Sequence, residues 1–231
     1  MPLRRRKQKL SDNALQGEAL RLFVLILAAI GLALFLLPSA VQRTYIPNTN
    51  NSIPPLVMQG GDPYIRALMR TISVSEANDP LPYGLLYGGT YTDNLRSHPD
   101  RCILITGGPN IGNCTTAAGR YQFITTTWLE KADSYHPQPS RFLVWKSYSF
   151  EPEFQDTVVY RWLKDSQAWG VDLSQLLRAG QVNEVLKVLS GTWTSLGYGI
   201  EDNSMTSALP KAYQTILRDE LKQEKANKKL R

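Results

Sequence analysis

The sequence predicts a mostly helical α+β domain with a small β lobe and a cleft between lobes, preceded by one N-terminal transmembrane helix. Three observations carry this. Apolar residues recur at helical spacing over residues 62–76 and again beyond Gln122. Between these stretches, residues 80–123 are punctuated by proline and glycine around short β-type runs. Ahead of both, residues 22–42 contain no charged side chain and residues 22–37 are almost wholly aliphatic. A sheet segregated from the helices makes an α+β arrangement, and a cleft forms where such lobes meet.

Charge and composition narrow the function classes. The net charge is +6 over 231 residues, but residues 1–21 carry +4 and residues 218–231 carry +3, so the body is −1. A nucleic-acid-binding domain carries its basic charge on a folded surface, so nucleic acid is not an expected partner. Only two histidines and two cysteines are present. Such a set does not make a multi-ligand metal site of zinc type, and no cofactor is expected.

In order, residues 1–21 read as a basic cytoplasmic segment and residues 22–42 as a span of the length a bilayer needs. The cluster Arg4, Arg5, Arg6, Lys7 and Lys9 lies before the span. By the positive-inside rule this leaves the N-terminus in the cytoplasm of an inner-membrane protein and exports the remainder of the chain. The competing reading is a signal peptide cut near Ser39-Ala40. Residues 43–61, rich in Pro, Asn and Gly, read as a linker.

The folded domain is expected to begin at Asp62, an N-cap followed by Pro63 at the first helical position. Ile65, Leu68, Met69 and Ile72 form one face, and Glu76, four residues on, continues it. Asn78, Asp79 and Pro80 end the helix. Burial and the negative end of the helix dipole both disfavour an ionised carboxyl there, as a general acid near neutral pH requires.

Residues 85–91 and 102–106 read as strands, and a loop containing Gly107, Gly108, Pro109, Asn110, Gly112 and Asn113 separates the second from Cys114. In an exported domain Cys102 and Cys114 are spaced to form a disulfide across that loop. Thr127-Trp128-Leu129-Glu130 matches a capping box. Helices are expected over residues 153–169, 173–177, 182–189 and 205–229, with residues 218–231 a Lys-rich helix end or tail. Trp128, Trp162, Trp169 and Trp193 fall at core positions, and His98 before Pro99 reads as a turn residue.

Four segments then stand in order: Ser73-Val74-Ser75-Glu76-Ala77; Tyr87-Gly88-Gly89-Thr90-Tyr91-Thr92-Asp93; Thr116-Ala117-Ala118-Gly119-Arg120-Tyr121-Gln122-Phe123; and Ser195-Leu196-Gly197-Tyr198-Gly199. Together, over residues 62–217, they resemble the lambda-phage type of endolysin, the lysozyme-like family of peptidoglycan lytic transglycosylases. The resemblance implies a lysozyme-like fold, peptidoglycan glycan strands as partner, and cleavage of the MurNAc-β-1,4-GlcNAc bond. It maps the family's single catalytic Glu onto Glu76, which would act as acid and then as base while the C6 hydroxyl of muramic acid closes a 1,6-anhydro ring. Tyr121, Gln122 and Tyr198 would contact substrate. Asp93, 17 residues after Glu76, is either a turn residue or a second carboxylate assisting a true hydrolase. Arg120 reads as an ion pair joining the β lobe to a helix, and Gly119 as a point of close backbone approach. A catalytically silent glycan-binding module is the non-enzymatic alternative. The span, the linker, the tail and the two cysteines lie outside the resemblance.

Overall fold

In the computed structural model, residues 53–108, 110–142, 145–198 and 206–229 are described. The expected segments 1–21 and 22–42 lie outside the described residues, as do residues 43–52 of the expected linker. Among the described residues no helix is long and apolar enough to cross a membrane.

Helix α1 (Pro63–Glu76) is the core. Its start is the expected one: Asp62 caps it by accepting the Tyr64 N–H at 3.0 Å, with Pro63 in the first turn. Its environment is not. The sequence predicts one apolar face, yet Arg70, Thr71 and Ser73 are buried beside Ile65, Leu68, Met69 and Ile72. Other elements surround the helix: α3 (Pro152–Lys164), α5 (Leu173–Arg178), the 3-10 turn Thr194–Leu196 and, most extensively, α7 (Leu209–Lys229).

Buried polar groups on such a helix need partners. Thr71 Oγ1 donates to the Ala67 carbonyl at 2.8 Å. Arg66 and Arg70 reach one carboxylate on α7, with Arg66 Nε at 2.6 Å from Glu220 Oε2 and Arg70 Nη1 at 2.8 Å from Glu220 Oε1. Glu220 is 2% exposed. The Lys-rich stretch continues α7 to Lys229, where the helix is expected to end, and the first turn beyond residue 217 carries this core residue.

Residues 53–61 of the expected linker belong to the same compact unit as the domain. Leu56 and Met58 are buried in the core cluster. Main-chain groups of this strap are taken up by buried side chains. Arg70 Nη2 donates to the Ile53 carbonyl and Arg66 Nη1 to those of Met58 and Gly60. Its Pro and Gly content reads as linker because irregular backbone held by distant side chains has no periodicity.

The β lobe is sparser than expected. Strands β1 (Ile103–Leu104) and β2 (Cys114–Thr115) pair antiparallel, Ile103 with Thr115 and Leu104 with Cys114. Cys102 and Cys114 are disulfide-bonded, with Cα atoms 5.4 Å apart. The expected strand at 85–91 reduces to single bridges, Leu85 to Tyr91 and Leu86 to Ala118, around a 3-10 turn at Tyr87–Gly89. Gly88 and Gly89 take positive φ there, which breaks an extended run.

Beyond the lobe, α2 (Thr125–Tyr135) starts two residues before the expected cap. Ile124 occupies the cap position with no side-chain bond, so Thr127-Trp128-Leu129-Glu130 is not a capping box. Thr125 instead donates to Asp100 Oδ1 at 2.6 Å. A hairpin of β3 (Ser140–Phe142) and β4 (Trp145–Ser147), not read from the sequence, leads into α3. The helix expected over 153–169 divides at Asp165, whose side chain caps α4 (Ser166–Trp169). Helix α6 (Val182–Leu189) has the expected bounds. The last helix starts at Leu209, after a 3-10 turn at Thr206–Ala208.

Removing Glu220 leaves two buried guanidinium groups without their carboxylate, the costly way to break a buried pair. Glu220→Ala is expected to lower stability by about 3–5 kcal/mol, read as the shift in urea-denaturation midpoint at constant slope. A loss below about 1 kcal/mol would mean that the pair contributes no more than a surface one.

Candidate active site

Glu76 is the last residue of α1 and is half-buried. The helix stops there because Ala77 leaves helical geometry while its N–H still reaches the Ser73 carbonyl. The turn Thr194–Leu196 packs against this end, with Leu196 fully buried. It sets the Ser195 hydroxyl to donate to Glu76 Oε1, and Ser75 Oγ lies 2.5 Å from Ser195 Oγ. One carboxylate oxygen of Glu76 is therefore oriented by a side chain from an element 119 residues away in sequence.

Glu76 opens onto a depression of about 420 Å³. Gln122, Phe123 and Ile124 form one side, Thr127, Glu130 and Lys131 of α2 another, and Gly191 to Thr194 a third, with Trp162 beneath. Gln122 borders the same depression as Glu76. It takes φ 46°, and its Nε2 donates to the carbonyls of Gly119 at 2.9 Å and Leu85 at 3.3 Å. Those two bonds set the amide's direction and leave Oε1 as its acceptor.

The turn carrying Gln122 is itself braced. Gly119 has φ 76°, and a Cβ there would run into Gln155 and Phe150. Gln155 Oε1 accepts the Arg120 N–H at 3.0 Å. Trp193 Nε1 donates to the Tyr121 carbonyl at 3.1 Å, tying the turn to the loop that lines the opposite side.

Two expectations about this region, for Tyr121 and Arg120, are corrected. Tyr121 does not line the cleft: it is 1% exposed, and its hydroxyl donates to Asp156 Oδ1 at 2.7 Å. Burial pushes its phenol well above the ordinary range, so it stays a neutral donor. Arg120 makes no ion pair within contact distance among the described residues, although its charge acts on Asp156. It donates to the carbonyls of Pro54 at 2.6 Å and Pro55 at 3.1 Å, and its guanidinium lies over the Tyr83 ring. Asp93 is exposed and lines two other depressions, one with Leu81 and Tyr91 and one with Glu151 and Glu153, neither of which contains Glu76.

Tyr198 is 45% exposed at φ 66° and donates to Asn183 Oδ1 at 3.2 Å. It is not among the residues around the depression. His98 is buried, with Nε2 2.7 Å from the Phe123 carbonyl, and burial lowers its pKa. It acts as a brace for the segment after Gln122. Among the described residues no group of His, Cys, Asp and Glu is placed to hold a metal ion. Reading the sequence missed Ser195, Lys131 and Trp162 as site residues. Ser195 sits inside a quoted segment, but a serine carries no signal of which carboxylate it will meet.

A helical body, a small disulfide-closed β lobe and a glutamate at a helix end beside the cleft define a lysozyme-like enzyme. The sequence profile of the Endolysin family matches residues 66–217, and the chain belongs to that family, whose lysozyme-like members cleave peptidoglycan. In fold it is similar to bacteriophage lambda lysozyme complexed with a chitohexasaccharide, with TM-score 0.50 and 21% identity over 69% of this chain and 97% of that one. A second structure, lysozyme from bacteriophage lambda, matches at TM-score 0.46 and 17% identity over 71% and 96%. No curated protein matches in sequence.

Because Ser195 touches Glu76 through a single hydroxyl, Ser195→Ala is expected to reduce kcat about tenfold while leaving the thermal midpoint within about two degrees. Equal kcat in the variant would show that the hydroxyl does not position the carboxylate.

Proposed function

We propose that the chain cleaves the MurNAc-β-1,4-GlcNAc bond as a lytic transglycosylase, with Glu76 as the sole acid and base. The observation that supports this most is the end of α1, where a half-buried carboxyl faces the depression with one oxygen held by Ser195. In the first step protonated Glu76 gives its proton to the glycosidic oxygen as the bond to C1 breaks and positive charge develops on the muramic acid ring. The C6 hydroxyl of the same sugar then attacks C1, and the Glu76 carboxylate takes the hydroxyl proton. The Glu76 carboxyl is regenerated, no water is consumed, and the product ends in a 1,6-anhydro ring.

Hydrolysis on the same site needs a second carboxylate to direct water or form a covalent intermediate. Asp93 lies in other depressions. Glu130 borders this one, but its side chain is 71% exposed and 2.6 Å from Lys131 Nζ, at the rim. Gln122, bordering the depression, has an amide oxygen suited to the N–H of an N-acetyl group.

Products from purified peptidoglycan separate the two reactions by mass. Anhydro-muropeptides are expected; products heavier by one water would establish hydrolysis. Glu76→Gln is expected to lower the rate by at least about 10²-fold, and retained activity would remove Glu76 from the chemistry.

Residues 22–42 are proposed as an uncleaved inner-membrane anchor with the N-terminus cytoplasmic, supported by their length and the basic cluster before them. The expected result in cells is membrane-fraction protein at the full 26.0 kDa. A soluble form shortened by about 40 residues would instead establish a cleaved signal peptide.

A further inference from the structure

We propose that Lys131 binds a carboxylate of the substituent carried by muramic acid, and so makes the site selective for peptidoglycan over neutral amino-sugar polymers. The inference rests on the reading of the Glu76 depression as the substrate site. Among the described residues bordering that depression, Lys131 is the only cation. Two carboxylates border it as well, Glu76 and Glu130. A polyanionic strand entering there meets one favourable charge, and Lys131 provides it.

The lysine is held in place before substrate arrives. Its Nζ lies 4.5 Å from the centroid of the Trp162 ring. Trp162 is buried, with Trp169 at 4.8 Å and Trp193 at 5.3 Å between ring centroids. The ring face therefore cannot yield, and the ammonium resting on it loses little freedom on binding. The lysine side chain is 20% exposed, whereas that of its partner Glu130 is 71% exposed. The cation sits inside the site and the anion faces solvent. An ion pair with one such exposed member contributes little, so an incoming carboxylate can share or replace Glu130 at small cost.

An ammonium has three donors. One is directed to Glu130 Oε1 at 2.6 Å, and the others remain for the depression. Thr127, Thr192 and Thr194 border the same space and offer hydroxyl donors for the second oxygen of a bound carboxylate. A cation flanked by hydroxyls against an aromatic floor is a receptor for a carboxylate attached to an apolar arm. In peptidoglycan that anion has two sources, the stem peptide and, once the stem is removed, the lactyl group itself.

The test compares native peptidoglycan with the same polymer after its carboxylates are converted to carboxamides. Wild-type protein is expected to prefer the native form about tenfold in kcat/KM, the size of one charge-assisted hydrogen bond. Lys131→Met is expected to bring that ratio near one, and Lys131→Arg to retain most of it. The preference should also shrink as salt rises. On whichever substrate, intact or stem-free, wild-type protein shows the preference, an unchanged ratio in Lys131→Met overturns the proposal, whatever happens to the two rates separately.

The substrate-side comparison on wild-type protein needs no variant to fold, and absence of any preference also overturns it. Strands freed of stem peptides, compared with their own amidated form, locate the anion. A preference only there assigns it to the lactyl group, and a preference in the intact polymer assigns it to the stem. Co-sedimentation with native and amidated polymer reads the same ratio without turnover, so failure of cleavage and failure of carboxylate recognition are separable.

Discussion

Four donors from three separate segments converge on the carboxylate of Asp156, in α3. The Val57 N–H at 2.8 Å, the Met58 N–H at 3.2 Å and the Tyr83 hydroxyl at 2.7 Å reach Oδ2, and the Tyr121 hydroxyl reaches Oδ1. Burial raises the Asp156 pKa, against the pull of these bonds and of the Arg120 guanidinium. Without its donors, a buried carboxylate would be among the most expensive groups in the domain. With them it fastens the strap, the start of the β lobe and the Gly119–Gln122 turn to the helical body. The Val57 N–H also reaches the Tyr83 hydroxyl at 3.1 Å, so the donors are linked to one another as well as to the carboxylate.

The site inherits its geometry from that junction. Gln122 is two residues from Arg120 and one from Tyr121, and both neighbours are held by buried polar partners. On the other side, Trp193 joins the turn to the loop that leads to Ser195. A chain of hydrogen bonds thus runs from the strap to the carboxylate at the end of α1, and none of its members needs to touch substrate to matter. Glu76 is placed by packing around a buried helix, and the surrounding polar groups are aimed by the core beneath them.

Much of this was legible in the residue order. The cap at Asp62, the apolar spacing through Ile72, and Glu76 at the helix end follow from local rules and agree with the structure. The cysteine pair was legible from spacing. What escaped was polar and distant in sequence. Tyr121 reads as a cleft aromatic because tyrosine suits both a sugar and a core, and only the position of Asp156 decides between them. The strap reads as linker because its partners, Arg70, Arg120 and Asp156, lie up to 99 residues away. Glu220 sits in a Lys-rich run and reads as solvated, since charge density along a helix does not reveal which single position turns inward. Lys131 and Ser195 became site residues only through neighbours on other elements. The span expected over residues 22–42 lies outside the described residues.

The pairing of α1 with α7 also bears on the order in which the domain is assembled. The partners of the Glu220 carboxylate are 150 and 154 residues away along the chain. Contacts of that span close late, because the loop entropy is lost before the contact repays it. Until α7 arrives, the most buried helix of the domain presents two guanidinium groups and an apolar face to solvent, so an emerging chain cannot complete its core segment by segment. The cleft is consequently a late product of folding: the helix that ends in Glu76 is locked only when the last helix docks. A nascent chain would therefore hold Glu76 in an incomplete site until α7 has emerged.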